Sequence, residues 1–493
     1  MKPKDVGYKA LIEKFHLDTM PHWHYSSISN DYTHKVVENS EHIYEIYPKK
    51  YAIEDSVIEH LEFALKYDGI NLTLLTQIFE QIDTIELTQA IQAKPTGKYI
   101  RKIWYFYEFL MGEQLAIDDL KQGNYVDLLE KDKYYSIKNP SSIKRQRIRD
   151  NLLGSRDFCP IVRKTKLLQE YEALDLSKKV KEVLTQYPTD ILKRALSYLY
   201  TKETKSSFEI ERIKASSSRV EKFVSLLKEA HRDDFCTKEK LIALQNRIVD
   251  NRFKDDDYRV KQNYVGESIS YEEQRVHFIS PKPIDLENLM NGLIQTNQKL
   301  SNSKDLSVIQ ATIISYGFVF LHPFEDGNGR IHRFLLHNIL ARSGFTQKEM
   351  IFPISAVMLK NPHIYDSSLE DFSKPLLSLI DYDLNEEGEM NVLNDTALFY
   401  RSIEMTKQVE TIYAFILKTI EEELVEELKF ISFYDSATKA IQKIVDMPNR
   451  QIDLFIRFTL QNAGKLSENK RKKYFDFLTH EEILAMEEVL AWE

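Results

Sequence analysis

One twelve-residue stretch, 322–333, reads His-Pro-Phe-Glu-Asp-Gly-Asn-Gly-Arg-Ile-His-Arg and contains most of the side chains that could do chemistry. Gly327, Asn328 and Gly329 favour backbone conformations with positive φ, in which successive N–H groups can converge on an anion. The apolar spacing that follows predicts a helix, whose N-terminus also attracts negative charge. Arg330 and Arg333 lie near one face of that helix and offer forked donors. The stretch therefore predicts a site for the phosphates of a nucleotide.

Two further side chains of the stretch have a chemical interpretation and a structural one. The carboxylate of Asp326 is the kind of ligand that Mg²⁺ takes together with substrate phosphates, and it could equally cap the helix. His322 can accept a proton from an attacking hydroxyl at neutral pH, and on its own it would be read as a buried histidine after an aromatic run. Beside a phosphate loop, the chemical interpretation is favoured for both.

The stretch resembles the signature of the Fic (Fic/Doc) family, His-x-Phe-x-Asp/Glu-Gly-Asn-Gly-Arg-x-x-Arg, and matches it at every fixed position. The resemblance implies a protein adenylyltransferase, which moves AMP from ATP to a Ser, Thr or Tyr hydroxyl of a target protein or of itself. It implies that His322 is the general base and that Asp326 binds Mg²⁺. The residues that we expect at the ATP are Phe324, which anchors the loop, with Glu325, Gly327, Asn328, Gly329, Arg330, Arg333 and, beyond the signature helix, Tyr365.

A second feature lies upstream, at 204–212, where Ser207 and Glu211 stand four residues apart on a helical turn. Read locally, they are a capped helix with a solvated acid. They also resemble the family's inhibitory Ser/Thr-x-x-x-Glu-Gly/Asn helix, whose glutamate pairs with the second signature arginine and blocks the γ-phosphate of ATP. Arg212 stands where that pattern has Gly or Asn. A second Ser-x-x-x-Glu pair, at 217–221, lies further from the pattern.

Residues 258–283 break the helical spacing and predict a β-hairpin. Arg259, Gln262, Asn263 and Gly266 resemble the run leading into the family's flap, a hairpin near 262–280 that holds a target segment by strand addition. An ordinary surface hairpin is the structural alternative.

Composition narrows the class of protein. The chain has 493 residues, 43% of them hydrophobic, and 67 basic against 76 acidic residues give a net charge of −9. No global field therefore draws it to nucleic acid or to an anionic membrane. Cys159 and Cys236 are too few for a disulfide framework, and no apolar run reaches the length of a membrane span. We expect a cytoplasmic protein with no membrane segment.

Low Gly and Pro content, 14 of each, and long amphipathic stretches predict a mainly α protein. We expect a helical N-terminal domain of uncertain role (1–190), a helical Fic-type catalytic domain with a small hairpin flap (191–385), and a helical C-terminal domain (386–493). In the flanks, helical spacing is clearest at 57–65, 72–79, 100–110 and 403–428.

Two alternatives remain open at this stage. The first is a transferase on the same scaffold that uses another nucleotide or a phosphocholine donor. The second is a DNA-binding regulator or toxin–antitoxin component, in which the basic runs at 98–102 and 144–149 contact nucleic acid rather than form solvated helix faces. A homodimer is also compatible with the sequence.

Overall fold

The computed structural model describes residues 3–30, 34–39, 42–269, 274–346 and 350–491. In this part of the chain helices dominate, and the strands form four small sheets. The predicted mainly α fold class is thereby confirmed.

The N-terminal third is helical with two small sheets that the sequence analysis did not predict. Its first sheet has the order β1-β2-β4-β3 with β2 and β4 parallel, and its second has the order β5-β7-β6. The predicted helices at 57–65, 72–79 and 100–110 are confirmed by α2, α3 and α5. The elements are β1 (Lys4–Val6), α1 (Tyr8–Phe15), β2 (His24–Ser29), β3 (Lys35–Glu38), β4 (Ile43–Pro48), α2 (Val57–Phe63), α3 (Leu72–Gln81), α4 (Thr84–Ala93), α5 (Lys98–Met111), β5 (Val126–Asp127), β6 (Ser141–Ile143), β7 (Ile148–Asp150), α6 (Lys166–Ala173) and α7 (Leu176–Thr185).

The central part of the chain builds a helical core with a two-stranded hairpin on it. Its elements are α8 (Thr189–Ile210), α9 (Ser217–Glu229), α10 (Lys238–Ile248), β8 (Tyr264–Ser268), β9 (Gln274–Ile279), α11 (Pro283–Leu300), α12 (Ser307–Leu321), α13 (Asn328–Arg342), α14 (Ile354–Lys360), α15 (Pro362–Leu377), β10 (Tyr382–Leu384) and β11 (Met390–Val392). The hairpin predicted near 262–280 is formed by β8 and β9. Residues 270–273, between the two strands in sequence, lie outside the described residues.

The C-terminal part is helical. It comprises α16 (Ala397–Arg401), α17 (Thr406–Lys418), α18 (Leu424–Ile444), α19 (Asn449–Leu460), α20 (Glu468–Tyr474) and α21 (His480–Val489). The residues between α17 and α18, Thr419–Glu423, form a π-helical turn. The helix predicted over 403–428 therefore begins later, at Thr406, and runs on to Ile444.

Helix α12 is the centre of the largest core. Every residue of α12 except Val319 is buried, as expected for a helix that is apolar on all sides. It packs against α11 and α13 and against α17 from the C-terminal part. The cluster of buried side chains around it extends from Tyr135 to Ile431, whereas separate clusters lie within 8–161 and 437–490. The domain boundaries near 190 and 385 stay predictions.

Within the described residues, no helix is both long enough and apolar enough to cross a membrane. Cys159 and Cys236 are free and buried in the core, and burial raises the pKa of the Cys159 thiol to about 12.

Candidate active site

His322 follows directly on the last residue of the buried helix α12. Its backbone is left-handed, with φ 50°, and its N–H donates to the Phe318 carbonyl at 2.9 Å. The ring Nδ1 lies 3.1 Å from the Val319 carbonyl oxygen. A carbonyl only accepts, so Nδ1 carries the proton and Nε2 keeps its lone pair. Burial lowers the pKa of His322 to about 4, which leaves the ring neutral and able to accept a proton at pH 7.

The loop after His322 is held in shape by Asn328. The Asn328 side chain accepts from the Phe324 N–H at 3.1 Å and donates to the Phe324 carbonyl at 2.7 Å. Phe324 is fully buried, as predicted for the residue that anchors the loop. Gly327 has φ 96° and precedes the first residue of α13. The loop therefore turns into a helix N-terminus, but of the three residues expected to favour positive φ only Gly327 has it, because Asn328 and Gly329 already form the first turn of α13.

A carboxylate from α8 lies between the two signature arginines. Glu211 Oε2 accepts from Arg330 Nε at 3.1 Å, and Oε1 accepts from Arg333 Nη2 at 2.7 Å. A Cβ on Gly329 would lie 2.2 Å from Glu211 Oε1, so the carboxylate packs against the first turn of α13. Forked donors and a helix N-terminus both favour an anion at this point. Glu211 occupies it.

The same end of α8 makes further contacts with Arg333. Ser207 Oγ accepts from Arg333 Nε at 2.8 Å, and the Ser207 carbonyl accepts from Nη2 at 2.7 Å. Burial alone would lower the pKa of Arg333, but the Glu211 carboxylate outweighs it and the pKa is raised. The structure thus brings together Ser207, Glu211 and both arginines, as the sequence resemblance implied.

A left-handed residue terminates α8. The Arg212 backbone has φ 56° and its N–H donates to the Glu209 carbonyl, while the Ile213 N–H donates to the Phe208 carbonyl at 3.0 Å. This pair of bonds is a Schellman motif, in which Gly is the usual residue at the left-handed position. The Gly or Asn of the family pattern thus has a conformational reason, and Arg212 adopts the same conformation at a steric cost.

Asp326 is the acidic residue of the loop. Its Oδ1 accepts from Arg330 Nη2 at 2.6 Å, and its side chain is 36% exposed. Among the described residues, no group of three or more His, Cys, Asp and Glu side chains could hold a metal ion. A cation at Asp326 would therefore take its other ligands from water or from a phosphate chain.

Glu325 and Tyr365 differ in exposure. Glu325 is exposed in the loop. Tyr365 is only 6% exposed, its ring lies near His332 at 6.2 Å between centroids, and burial raises its pKa although Arg333 opposes the shift. The predicted contacts of both residues with ATP stay predictions.

The hairpin is tied to the loop by Arg259, which is 4% exposed. Its Nε donates to the His322 carbonyl at 2.8 Å, its backbone N–H donates to the Pro323 carbonyl at 2.8 Å, and its Nη2 donates to the Pro281 carbonyl at 2.6 Å. Asn263 adds a bond from Nδ2 to the Phe324 carbonyl at 3.1 Å. These bonds connect the base of the hairpin directly to the loop.

The flap residues Gln262 and Gly266 have local roles. Gln262 Nε2 donates to the Ser280 carbonyl at 2.7 Å and closes the base of the hairpin. A Cβ on Gly266 would approach the Arg275 carbonyl to 2.6 Å, and a β-bulge interrupts the pairing between Val265 and Gly266.

Glu203 is a buried residue of the site that sequence reasoning missed. It lies one helical turn before Ser207 on α8, accepts from the Ser355 N–H at 2.9 Å, and lies 2.8 Å from His337 Nε2. The recurrence of polar residues at 203, 207 and 211 on one helix face was a signal that could have found it.

Two arginines of the basic runs in the N-terminal part have partners inside the protein. Arg101 is 3% exposed and donates to the Asn124 carbonyl at 2.7 Å. Arg145 pairs with Glu108 at 2.9 Å and packs its guanidinium against Trp104. Neither arginine lies on a solvated helix face, and neither guanidinium is free to contact nucleic acid.

Fold and loop define a mainly helical protein in which a glycine-containing loop leads into the N-terminus of a buried helix. Residues 235–340 match the Fic/DOC family. The match is confined to this part of the chain, which is therefore similar to Fic/DOC proteins. The matched range includes the flap and the whole loop, whereas Ser207 and Glu211 lie outside it.

Curated relatives match only part of the chain. A probable protein adenylyltransferase from Aquifex aeolicus is 28% identical over 209 residues, which are 39% of this chain and 60% of the relative. The protein adenylyltransferase Fic of Nematostella vectensis is 42% identical over 71 residues, 14% of this chain and 16% of that protein. That of Aedes aegypti is 29% identical over 121 residues, 23% and 21% of the two chains. The chain thus spans less than two thirds of each of these relatives.

Solved structures of Fic proteins are more distant. A Fic family protein from Desulfovibrio desulfuricans is 18% identical with a TM-score of 0.36, covering 55% of this chain and 79% of its own. A Fic domain protein from Bacteroides thetaiotaomicron is also 18% identical with a TM-score of 0.37, covering 52% and 97%. Similarity at this level is low, so the family assignment rests on the sequence.

Proposed function

We propose that this chain is a protein adenylyltransferase that transfers AMP from ATP to a hydroxyl of a protein target or of itself. One observation carries the proposal: the carboxylate of Glu211 is held by Arg330, Arg333 and the N-terminus of α13, where a phosphate oxygen would find the same donors. The names of the curated relatives support the reaction.

The chemistry follows from the arrangement around His322. A target hydroxyl oxygen attacks the α-phosphorus, its proton passes to His322 Nε2, and the bond to the β-phosphate breaks so that pyrophosphate leaves with the electron pair. The Nδ1–H keeps donating to the Val319 carbonyl and thereby fixes the ring orientation. Transfer of this kind depends mainly on positioning and on charge neutralisation, which the loop and its arginines supply.

Asp326 is the residue that would hold Mg²⁺. Arg330 contacts Oδ1, so Oδ2 is the candidate ligand, with the remaining positions filled by phosphate and water. Bound there, the ion would neutralise charge on the phosphates. Asp326 therefore fits a metal that arrives with the nucleotide.

The target would bind along the flap. The sheet of β8 and β9 has two strands, so each strand keeps one edge without a strand partner among the described residues. The ring of Phe278 in β9 lies 6.4 Å from the His322 ring, which places the hairpin beside the proposed base. An extended target segment added to this hairpin would bring its hydroxyl toward His322.

Glu211 would act as an autoinhibitory residue. A bound triphosphate and the Glu211 carboxylate would compete for the same two arginines, so full binding of ATP requires Glu211 to leave. The contacts of Ser207 and Glu203 on the same helix favour the inserted state, because they anchor α8 to α13 and to the start of α14.

Labelled ATP tests the reaction. The Glu211→Gly variant is incubated with Mg²⁺, a lysate as the source of targets, and ATP labelled either on the α-phosphate or on the γ-phosphate. We expect protein labelling from the α-label alone. We expect no labelling by the double variant that carries both Glu211→Gly and His322→Ala. Labelling from the γ-label would indicate a kinase, and labelling that survives His322→Ala would rule out the base.

The same assay decides the donor. Excess unlabelled ATP, GTP, UTP or CDP-choline competes with the α-labelled ATP, and we expect ATP to compete most strongly. If another donor competes more strongly, the reaction is not AMP transfer but the transfer of a different group on the same scaffold.

A further inference from the structure

A third arginine, Arg219, lies beside the two signature arginines and belongs to no part of the signature. It lies in the first turn of α9, and its Nη2 donates to the Ile248 carbonyl at 3.3 Å. Arg330 Nη1 donates to the same carbonyl, also at 3.3 Å. The guanidinium carbons of both arginines approach the Phe208 ring, at 5.2 Å and 5.5 Å from its centroid. The two side chains are therefore held close together.

Arg219 makes no close ion pair of its own, and the carboxylates of Asp326, Asp250 and Glu211 act on it from a longer distance. No described carboxylate lies within 4 Å of Arg219, whereas Arg330 contacts both Glu211 and Asp326. Burial, followed by the charge of Arg330, lowers the pKa of Arg219. Its Nε is buried without a hydrogen-bond partner among the described residues. The guanidinium of Arg219 therefore lies beside that of Arg330, and its buried Nε–H has no acceptor among the described residues.

Such an arrangement suits an anion that bridges two guanidinium groups. Phosphate oxygens accept from forked donors, and a chain of linked phosphates can contact neighbouring arginines at once. Arg330 donates to Glu211 and to the Ile248 carbonyl, and Arg219 donates to the same carbonyl. The row of cations therefore continues past the signature toward α9.

We propose that Arg219 and Arg330 together form a subsite for the diphosphate part of the donor nucleotide, the part that leaves as pyrophosphate. This inference rests on the proposed function and adds a residue from outside the signature to it. The subsite contacts only the β- and γ-phosphates, so it distinguishes ATP from AMP.

Calorimetric titration of the Glu211→Gly protein tests the subsite with ATP, inorganic pyrophosphate and AMP. We expect Arg219→Ala to weaken ATP and pyrophosphate binding about tenfold, close to the loss of one charge-assisted contact, and to leave AMP binding unchanged. Arg219→Gln, which keeps most of the stem over Phe208, should give a similar loss if the alanine variant does not fold. Arg252→Ala is the matched control, because Arg252 is an exposed arginine paired with Asp250 and should change nothing.

The possible outcomes distinguish a failure of the Arg219 subsite from a failure of the proposed function. Unchanged ATP affinity in both Arg219 variants overturns the subsite and leaves the proposed function standing. An equal loss for AMP also overturns it, because a packing role would affect every ligand alike. If the Glu211→Gly parent itself binds no ATP, the proposed function fails, and the subsite with it.

Discussion

Glu211 Oε1 and Arg333 Nη2 lie 2.7 Å apart although 122 positions separate the two residues in the chain. The guanidinium of Arg333 is buried, whereas the Glu211 side chain is 23% exposed. The arginine is therefore fixed in the core, and the glutamate can leave from the solvent side together with the end of α8. We therefore predict that Glu211, and not Arg333, moves when a ligand binds to the arginines.

Removing Glu211 should destabilise the protein without nucleotide. Glu211→Gly leaves the buried guanidinium of Arg333 without its counter-charge, whereas Arg330 keeps Asp326. Breaking a buried pair in this way costs on the order of 3 kcal/mol. We expect a lower melting temperature that saturating ATP raises far more in the variant than in the wild type. Glu209→Gly is the matched control, since Glu209 is exposed on the same turn. Equal melting of the two variants without ATP would show that the ion pair adds nothing.

Arg212→Gly should strengthen the inserted state of Glu211. A non-glycine residue in the left-handed conformation costs about 1 kcal/mol, and glycine removes that cost. We expect a higher melting temperature and a basal AMP-transfer rate lower by about fivefold than the wild type, measured by α-label incorporation. Arg212→Ala removes the charge but keeps the strained conformation. Should alanine lower the rate as much as glycine, the effect would belong to the charge and not to the backbone.

The rate should be insensitive to mild acid. Burial lowers the pKa of His322 to about 4, so the neutral base is present above that value and is lost as the pH falls through 4. With the ordinary pKa of about 6.5, only about a tenth of the base would be neutral at pH 5.5. We expect kcat/KM of Glu211→Gly at pH 5.5 to stay within twofold of its value at pH 7.5. A tenfold drop centred near pH 6.5 would show an unperturbed histidine.

The burial of His322 also has a consequence for stability. Between pH 4 and 6.5 the unfolded chain binds a proton at this residue and the folded chain does not, so its contribution to stability falls as the pH decreases through that window. Denaturant unfolding of His322→Asn should therefore depend less on pH between 4 and 6.5 than unfolding of the wild type. Identical slopes in the two proteins would contradict the lowered pKa.

Arg259→Lys should uncouple the flap from the loop. Three carbonyls, of His322, Lys261 and Pro281, accept from the Arg259 side chain, and a lysine ammonium cannot reproduce the fork. We expect kcat/KM for a protein target to fall at least tenfold while ATP affinity, measured by calorimetry, changes little. Lys261→Arg is the control for charge in the same segment. A matching loss of ATP affinity would place Arg259 in the nucleotide site instead.

The loop could be predicted from sequence because its chemistry is local. Gly327, Asn328 and Gly329 specify a turn, and the apolar spacing after them specifies a helix. The contact of Glu211 with Arg333 came from a family resemblance, since no periodicity relates positions so far apart. The conformation of Arg212 was not foreseen, because its backbone angle follows from the helix end and not from the residue type.

The rest depended on tertiary contacts. Strand β2 pairs with β4 in parallel, and short strands of mixed burial carry little alternation for a sequence pattern to detect. Arg101 and Arg145 belong to basic runs that suggest an exposed surface, yet both have carbonyl or carboxylate partners inside the protein. The position of Arg219 beside Arg330 depends on how α9 packs, which no local pattern encodes.

Intact-protein mass spectrometry after incubation with ATP and Mg²⁺ tests the central claim most directly. Wild type, Glu211→Gly and the double variant Glu211→Gly with His322→Ala are compared. The account predicts an added mass of one AMP on Glu211→Gly, much less on the wild type, and none on the double variant. Equal modification of the wild type and Glu211→Gly would contradict the inhibitory role of Glu211, and an adduct that persists without His322 would contradict the chemistry.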